Sequence, residues 1–176
     1  MILGMSLATF TQFHVIISLI AIISGIVVAL GMLGARLMPG MTSLFLITTV
    51  ATSVTGFMFE TPADAPRVIG SLDPAKIIGL ISLIVLALAI LALYVYKLAG
   101  AWRGTYVVSA MIALYFNCFV LVVQSFQKIA FFHALAPTQK EPPFAVAQGV
   151  LLIVFIGLGI AAFKKFRPLL RAPALA

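Results

Sequence analysis

The stretch GLISLIVLALAILALYVYKLAGAWRGTYVVSAMIALYFNCFVLVVQSFQK, residues 79–128, contains two long apolar runs on either side of the short basic turn KLAGAWRG. A helix needs about 20 predominantly apolar residues to cross a bilayer, and each run comes close to or exceeds that length. Glycine in the turn is typical of a break between two helices. The stretch therefore predicts two antiparallel transmembrane helices with a tight connection.

The composition of the whole chain agrees with this interpretation. Hydrophobic residues make up 64% of the 176 residues and charged residues 9%, with a mean hydropathy of +1.25. Too little polar surface remains for a soluble domain of this size, so the sequence predicts an integral membrane protein. The sequence contains no GxxxxGK[ST], GxGxxG, GxSxG or HExxH motif, which favours a protein that is not an enzyme.

Five apolar stretches are long enough to span a membrane, which predicts an all-α, polytopic transmembrane helical bundle. It forms a single domain over residues 1–171, with a short tail at 172–176. The second stretch is rich in Ser and Thr, so an alternative with four spans would leave it packed at the interface. The predicted spans lie near residues 12–34, 41–59, 74–97, 105–131 and 144–163.

The distribution of Lys and Arg predicts the orientation of the bundle. With five spans, Arg36, Lys97, Arg103 and the basic tail KKFRPLLR share one side, and no acidic residue lies there. The other side carries all the acidic residues together with the remaining basic ones. The positive-inside rule then places the N-terminus outside and the C-terminus in the cytoplasm of a bacterial cell. The tail is interpreted as an anchor to anionic headgroups, and a nucleic-acid partner is disfavoured.

Polar residues form a narrow stripe on the fourth span. At about 100° per residue they fall within an arc of about 40°, which indicates a face turned inward, away from lipid. The second span offers a matching face of hydroxyl groups. Hydrogen bonds between helices are the first interpretation of Asn117 and this hydroxyl face. The stripe consists of Tyr106, Asn117, Gln124 and Lys128, flanked by Ser109 and Gln127.

Several polar groups are expected at the outer boundary of the membrane and form the candidate site. An apolar pocket with such a polar mouth could hold a quinone or a lipid headgroup. His14, His133 and Glu60 could instead ligate a transition metal, or the two histidines the iron of haem b, although no HxxxH spacing occurs. For either histidine alone, a structural role at the membrane interface is the favoured interpretation. The candidate ligand-binding residues are His14, Asn117, Gln124, Gln127, Lys128 and Gln148.

The segments LITTVATSVTGFMF (46–59), the opening stretch (79–128) and LAPTQKEPPFAVAQ (135–148) resemble a group of small bacterial inner-membrane proteins. The resemblance covers residues 13–167 and implies a multi-pass inner-membrane protein, without an activity or cofactor. In that group a proline often replaces Glu60, and position 133 is not dependably histidine. The resemblance therefore favours His14 and the Gln124 to Lys128 segment over Glu60 and His133.

Together these features predict a non-enzymatic subunit, or a binder of a lipid-like or quinone-like ligand at the outer face. Its partners would be the lipid bilayer and a membrane protein or a second copy of the chain. A small permease or channel, conducting along Asn117 and the Thr face, is the first alternative. A redox subunit that carries haem b is the second.

Overall fold

The computed structural model describes residues 2–59 and 74–168, and these residues are helical apart from short connections. The Ser6 hydroxyl caps the first helix by accepting a hydrogen bond from the Thr9 amide, and prolines stand in the first turn of the second and last helices. A π-helical turn, Leu91–Val95, extends the third helix. The helices are α1 (Leu7–Leu33), α2 (Pro39–Gly56), α3 (Pro74–Ile90), α4 (Trp102–Lys128), α5 (Ala130–Leu135) and α6 (Pro142–Lys165).

Most predicted spans agree with these helices to within a turn, and two differ from them. The first helix begins at Leu7 rather than near residue 12, because the Ser6 cap starts it earlier. The fourth span ends at Lys128 because Ile129 is extended, with φ −96° and ψ 117°. Residues 130 and 131 consequently begin the separate short helix α5. Glu60 and Arg67 lie outside the described residues.

Among residues 2–59 and 74–168, four helices are long and apolar enough to cross a membrane, which indicates a multi-pass membrane protein. They are α1, α3 with its π-turn, α4 and α6. The second predicted span, α2, does not reach this level of hydropathy because it carries many hydroxyl side chains. These are Thr42, Ser43, Thr48, Thr49, Thr52, Ser53 and Thr55.

Successive long helices run antiparallel, and α4 lies at the centre of the bundle. It packs against α1, α3 and α6, and its side chains also reach α2. The closest approach is at Gly25 of α1, where an added Cβ would lie 2.5 Å from Leu114 of α4 and 2.8 Å from Phe45 of α2. A larger residue there would force the Leu114 side chain and the Phe45 ring to shift, so the close packing of these three helices favours glycine.

The two ends of the bundle differ in charge. We call the end that carries Arg36, Lys97, Arg103 and the α6 C-terminus the basic end, and the opposite end, with His14 and His133, the histidine end. The Arg103 guanidinium donates to the carbonyl oxygens of Phe163 and Phe166, which shows that α4 begins where α6 ends. The continuous hydrophobic core lies in the basic-end half, and apolar side chains cover the outer surface, as expected of helices that face lipid.

Candidate functional site

The inward face of α4 is covered at the basic end and uncovered at the histidine end. Tyr106 and Leu114 are 1% and 2% exposed, whereas Leu121, on the same face, is 40% exposed. Gln124 and Lys128 continue that face and are also exposed. Deeper in the bundle this face contacts α1 and α2, through Leu114 beside Gly25 and Asn117 beside Thr49. We call the face of α4 from residue 117 to residue 128 the vestibule.

Asn117 forms the floor of the vestibule. Its side-chain amide donates a 3.1 Å hydrogen bond to the Thr49 hydroxyl of α2. Thr49 is fully buried, and Phe45 and Leu114 fill the layer beneath it. The predicted role of Asn117 as a hydrogen bond between helices is therefore present in the structure, and it marks the level at which dense packing ends.

His14 and Gln124 lie at the same depth. Counting eleven residues from Gly25 toward the histidine end leads to His14, and counting eleven from Leu114 leads to Ser125. Both distances are about 16 Å along the helix axis, and Gln124 is one residue away from Ser125. The polar groups of α1 and α4 therefore lie at the same level of the bundle.

The hydrogen bonds of Thr55 favour one tautomer of His14. His14 Nδ1 lies 2.7 Å from the Thr55 hydroxyl oxygen, and that hydroxyl lies 2.7 Å from the carbonyl oxygen of Ala51. Both bonds are made at once when Nδ1 carries the proton and donates it to Thr55. The ring also packs edge-on against Phe59, with 5.1 Å between centroids. Nε2 is consequently left with a lone pair that can accept a hydrogen bond.

Gln124, Gln127 and Lys128 keep their polar groups available. All three are exposed, and none makes a hydrogen bond or ion pair within residues 2–59 and 74–168. Gln124 and Lys128 share the vestibule face, whereas Gln127 lies about 60° around the helix from Gln124. The vestibule therefore offers an imidazole acceptor, an amide and an ammonium group.

Gln148 does not belong to the vestibule. Its amide nitrogen donates to the carbonyl oxygen of Phe119 at 3.3 Å, and Phe119 lies about 140° around α4 from Gln124. Gln148 Oε1 is buried and has no hydrogen-bond donor in the part of the chain that the structure describes. The predicted polar mouth therefore divides into a vestibule group and a separate amide between α4 and α6.

The two histidines have different surroundings. His133 Nδ1 lies 3.3 Å from the carbonyl oxygen of Phe126, and Phe126 packs against Phe144 of α6, so α5 lies on the α6 side of α4. His14 packs against α2. No group of three His, Cys, Asp or Glu side chains that could hold a metal ion occurs among residues 2–59 and 74–168. The third predicted ligand, Glu60, lies outside those ranges.

The connection from α5 to α6 is held by side chains that the sequence patterns did not single out. The Gln139 amide donates to the carbonyl oxygen of Val123 at 3.1 Å, which fastens the connection to α4. The Glu141 carboxylate accepts from the hydroxyl and the amide of Thr138 at 2.7 and 3.2 Å and from the amide of Lys140 at 3.1 Å. These bonds, the Thr138 hydroxyl foremost, hold the pKa of Glu141 below its ordinary value. The sequence pattern that indicates this turn is Thr138 three residues before Glu141, with two prolines after it.

Comparison with known proteins finds no matching family, curated protein or solved structure. The vestibule geometry therefore carries the functional argument.

Proposed function

We propose that this chain is a non-enzymatic protein of the bacterial cytoplasmic membrane that binds the polar head of a lipid-like or quinone-like ligand in the vestibule. The observation that carries the proposal is the uncovered inward face of α4 from Leu121 to Lys128, with His14 at the same depth. A face that is buried deeper in the bundle and polar where it opens suits a ligand with a polar head and an apolar body.

The proposal includes five spans, with α2 as the fifth. The 18 residues of α2 give a helix of about 27 Å, close to the hydrocarbon thickness of about 30 Å. Its hydroxyls find partners inside the bundle, which removes the cost of exposing them to lipid. These contacts are Thr52 with Ser18 at 3.4 Å, Thr49 with Asn117 at 3.1 Å and Ser53 with Ser82 at 3.3 Å.

The proposal also places the N-terminus outside and the basic end in the cytoplasm. Among the described residues the basic end carries Arg36, Lys97, Arg103 and the Lys164 to Arg167 segment, without an acidic residue. The positive-inside rule favours this orientation, and the resemblance to bacterial inner-membrane proteins supports the location. The vestibule then opens toward the outer leaflet.

The chemistry of the vestibule suits a ligand that both donates and accepts hydrogen bonds. Lys128 can donate to a quinone carbonyl or a phosphate, and His14 Nε2 can accept from a quinol or glycerol hydroxyl. Gln124 can do either. A single polar head that reaches these three groups would be held by hydrogen bonds, of which those to the ammonium group are the strongest.

The dense packing below Asn117 favours a binder over the alternative of a channel. Phe45, Leu114 and Tyr106 are each at most 2% exposed in the layer that any conducting path would have to cross. The vestibule is therefore closed toward the basic end, and passage would require the helices to separate.

The test is the content of small molecules in the purified protein. We expect mass spectrometry of the extract to detect a lipid or quinone, and Gln124→Leu with Lys128→Met to reduce it about tenfold, because bonds to a charged group are each worth about 1.5–3 kcal/mol. The matched control is Gln12→Leu with Lys140→Met, the same two changes at exposed positions of the same end, away from the vestibule. Equal ligand content in both variants would contradict the proposal.

Two further measurements on the same preparation separate the other functions. A Soret absorption band would favour the haem-bearing redox subunit. A flux through reconstituted vesicles that falls with Asn117→Leu would favour the permease or channel. A second membrane protein that copurifies and is lost with the double variant would identify the chain as a subunit.

A further inference from the structure

A groove on the lipid-facing surface lies at the basic end, on the opposite half of the bundle from the vestibule. It runs between α3 and α6, where the face of α4 between those two helices is uncovered, and its volume is about 550 Å³. Val108 and Ile112 of α4 line it with exposed fractions of 46% and 37%, together with Leu88 of α3 and Phe163 of α6. The lining is therefore almost wholly apolar.

Arg103 stands at the basic end of this groove and is held rigidly in place. Its Nη1 donates to the carbonyl oxygens of Phe163 at 3.1 Å and Phe166 at 2.6 Å, and the guanidinium lies 5.7 Å from the centre of the Phe163 ring. These two bonds use one nitrogen. The guanidinium has five N–H donors, so those on Nε and Nη2 have no acceptor among the described residues. Such a fixed fork matches the geometry of a phosphate.

The surrounding charge and the aromatic residues place this guanidinium at headgroup depth. Lys164 and Lys165 end α6 beside it, and no acidic side chain lies at the basic end within residues 2–59 and 74–168. The rings of Tyr96 and Trp102 stack 3.7 Å apart at the start of α4. Stacked aromatic rings at a helix end are typical of the membrane interface.

We propose that this groove binds one anionic glycerophospholipid, with an acyl chain along Val108 and Ile112 and the phosphate on the free edge of Arg103. The occupant is a lipid rather than a second copy of the chain, because a copy in the same orientation would bring its own basic end against Arg103 and Lys164. This site is independent of the vestibule and of the function proposed for it.

The experiment is native mass spectrometry of the full chain in a non-ionic detergent, titrated with phosphatidylglycerol or phosphatidylcholine. We expect phosphatidylglycerol to bind about tenfold more tightly, because both lipids offer the phosphate but only phosphatidylcholine carries a choline cation, which the like charges of Arg103, Lys164 and Lys165 repel. Val108→Trp fills the groove from an exposed position, and we expect it to reduce phosphatidylglycerol binding about tenfold. Val150→Trp, at a 55% exposed position on the far face of α6, is the matched control and should bind like the wild type.

Arg103→Gln tests the phosphate contact; it should weaken the binding of phosphatidylglycerol and reduce the preference over phosphatidylcholine. Because Arg103 also caps α6, the fold of the Arg103→Gln variant is checked by circular dichroism. If this variant does not fold, Val108→Trp still tests the proposal. Equal affinity of the wild type for both lipids, or unchanged binding in Val108→Trp, would overturn the proposal. The proposal would also be overturned if the Val108→Trp variant changed from an oligomer to a monomer and kept its bound lipid. The vestibule variant Gln124→Leu with Lys128→Met should bind phosphatidylglycerol normally, which separates this test from that of the proposed function.

Discussion

The basic-end half and the histidine-end half of the bundle use the same five long helices in different ways. In the basic-end half, small residues let the helices meet, and the core from Val28 to Leu114 is almost completely buried. In the histidine-end half, α1 and α2 stay together through His14 and Thr55, while Leu121, Gln124 and Lys128 of α4 are exposed. Close packing in one half is thus combined with exposed polar groups in the other, and the proposed binding site depends on this contrast.

The largest effect on this contrast is expected from a substitution that separates the helices where they approach each other most closely. A side chain at Gly25 meets the rigid Phe45 ring at 2.8 Å as well as Leu114. We expect Gly25→Val to destabilise the bundle by about 1–3 kcal/mol, the usual cost of overpacking, or to prevent folding. The free energy of unfolding in mixed micelles, followed by circular dichroism, measures this effect.

Gly149→Val on α6 is the control for Gly25→Val. An added Cβ there meets no heavy atom within 4 Å, so the same substitution should change stability little. Equal losses in the two variants would mean that helix propensity, rather than contact between α1, α2 and α4, decides the stability of the basic-end half.

A smaller effect is expected at the boundary between the two halves. Asn117→Leu removes the bond to Thr49, and Thr49→Val removes the same bond from the other side while nearly preserving volume. A double-mutant cycle should give a coupling of about 0.6 kcal/mol, the average found for hydrogen bonds between transmembrane helices. Additive losses would show that Asn117 and Thr49 do not hold the floor of the vestibule together.

The smallest effect concerns the turn that precedes α6 at the histidine end. Hydrogen bonds hold the pKa of Glu141 below its ordinary value of 4.5, so the ionised form stabilises the turn above that pH. This contribution is lost as the pH falls through the lowered pKa. An NMR titration of the Glu141 carboxyl carbon should show the lowered midpoint, and Thr138→Val should raise it because the hydroxyl makes the largest contribution.

Lys140→Gln is the control for this titration. It keeps the backbone amide that bonds to Glu141 and removes only a neighbouring charge, so the midpoint should stay close to that of the wild type. A midpoint unaffected by Thr138→Val would mean that the turn does not depend on its carboxylate.

Much of the helical organisation could be predicted because it depends on local sequence. Apolar runs of membrane length gave the four apolar helices, and the prolines before Phe144 gave the start of α6. The break at Ile129 could not be predicted in this way, since neither Gly nor Pro flanks it and the residues that follow Lys128 are again apolar. The lower hydropathy of α2 could be recognised from its sequence. Those hydrogen-bond partners of its hydroxyl groups that lie on other helices could not, because they are distant in the sequence.

The candidate site was predicted only in part. The angular stripe on α4 correctly placed Asn117, Gln124 and Lys128 on one face. It could not show that this face is covered as far as Leu114 and then uncovered. Gln148 was grouped with them by depth alone, and the structure places it on the other side of α4, because depth along a helix says nothing about direction around the bundle.

The sequence by itself determined that the chain is helical and suited to a membrane, and that its basic residues gather at one end, since hydropathy and charge are properties of composition and order. Only the tertiary structure decided that His14 meets Thr55, that Asn117 meets Thr49, and that Arg103 caps α6 beside a groove. Each of these contacts joins residues more than 40 positions apart, and their distance depends on how whole helices pack.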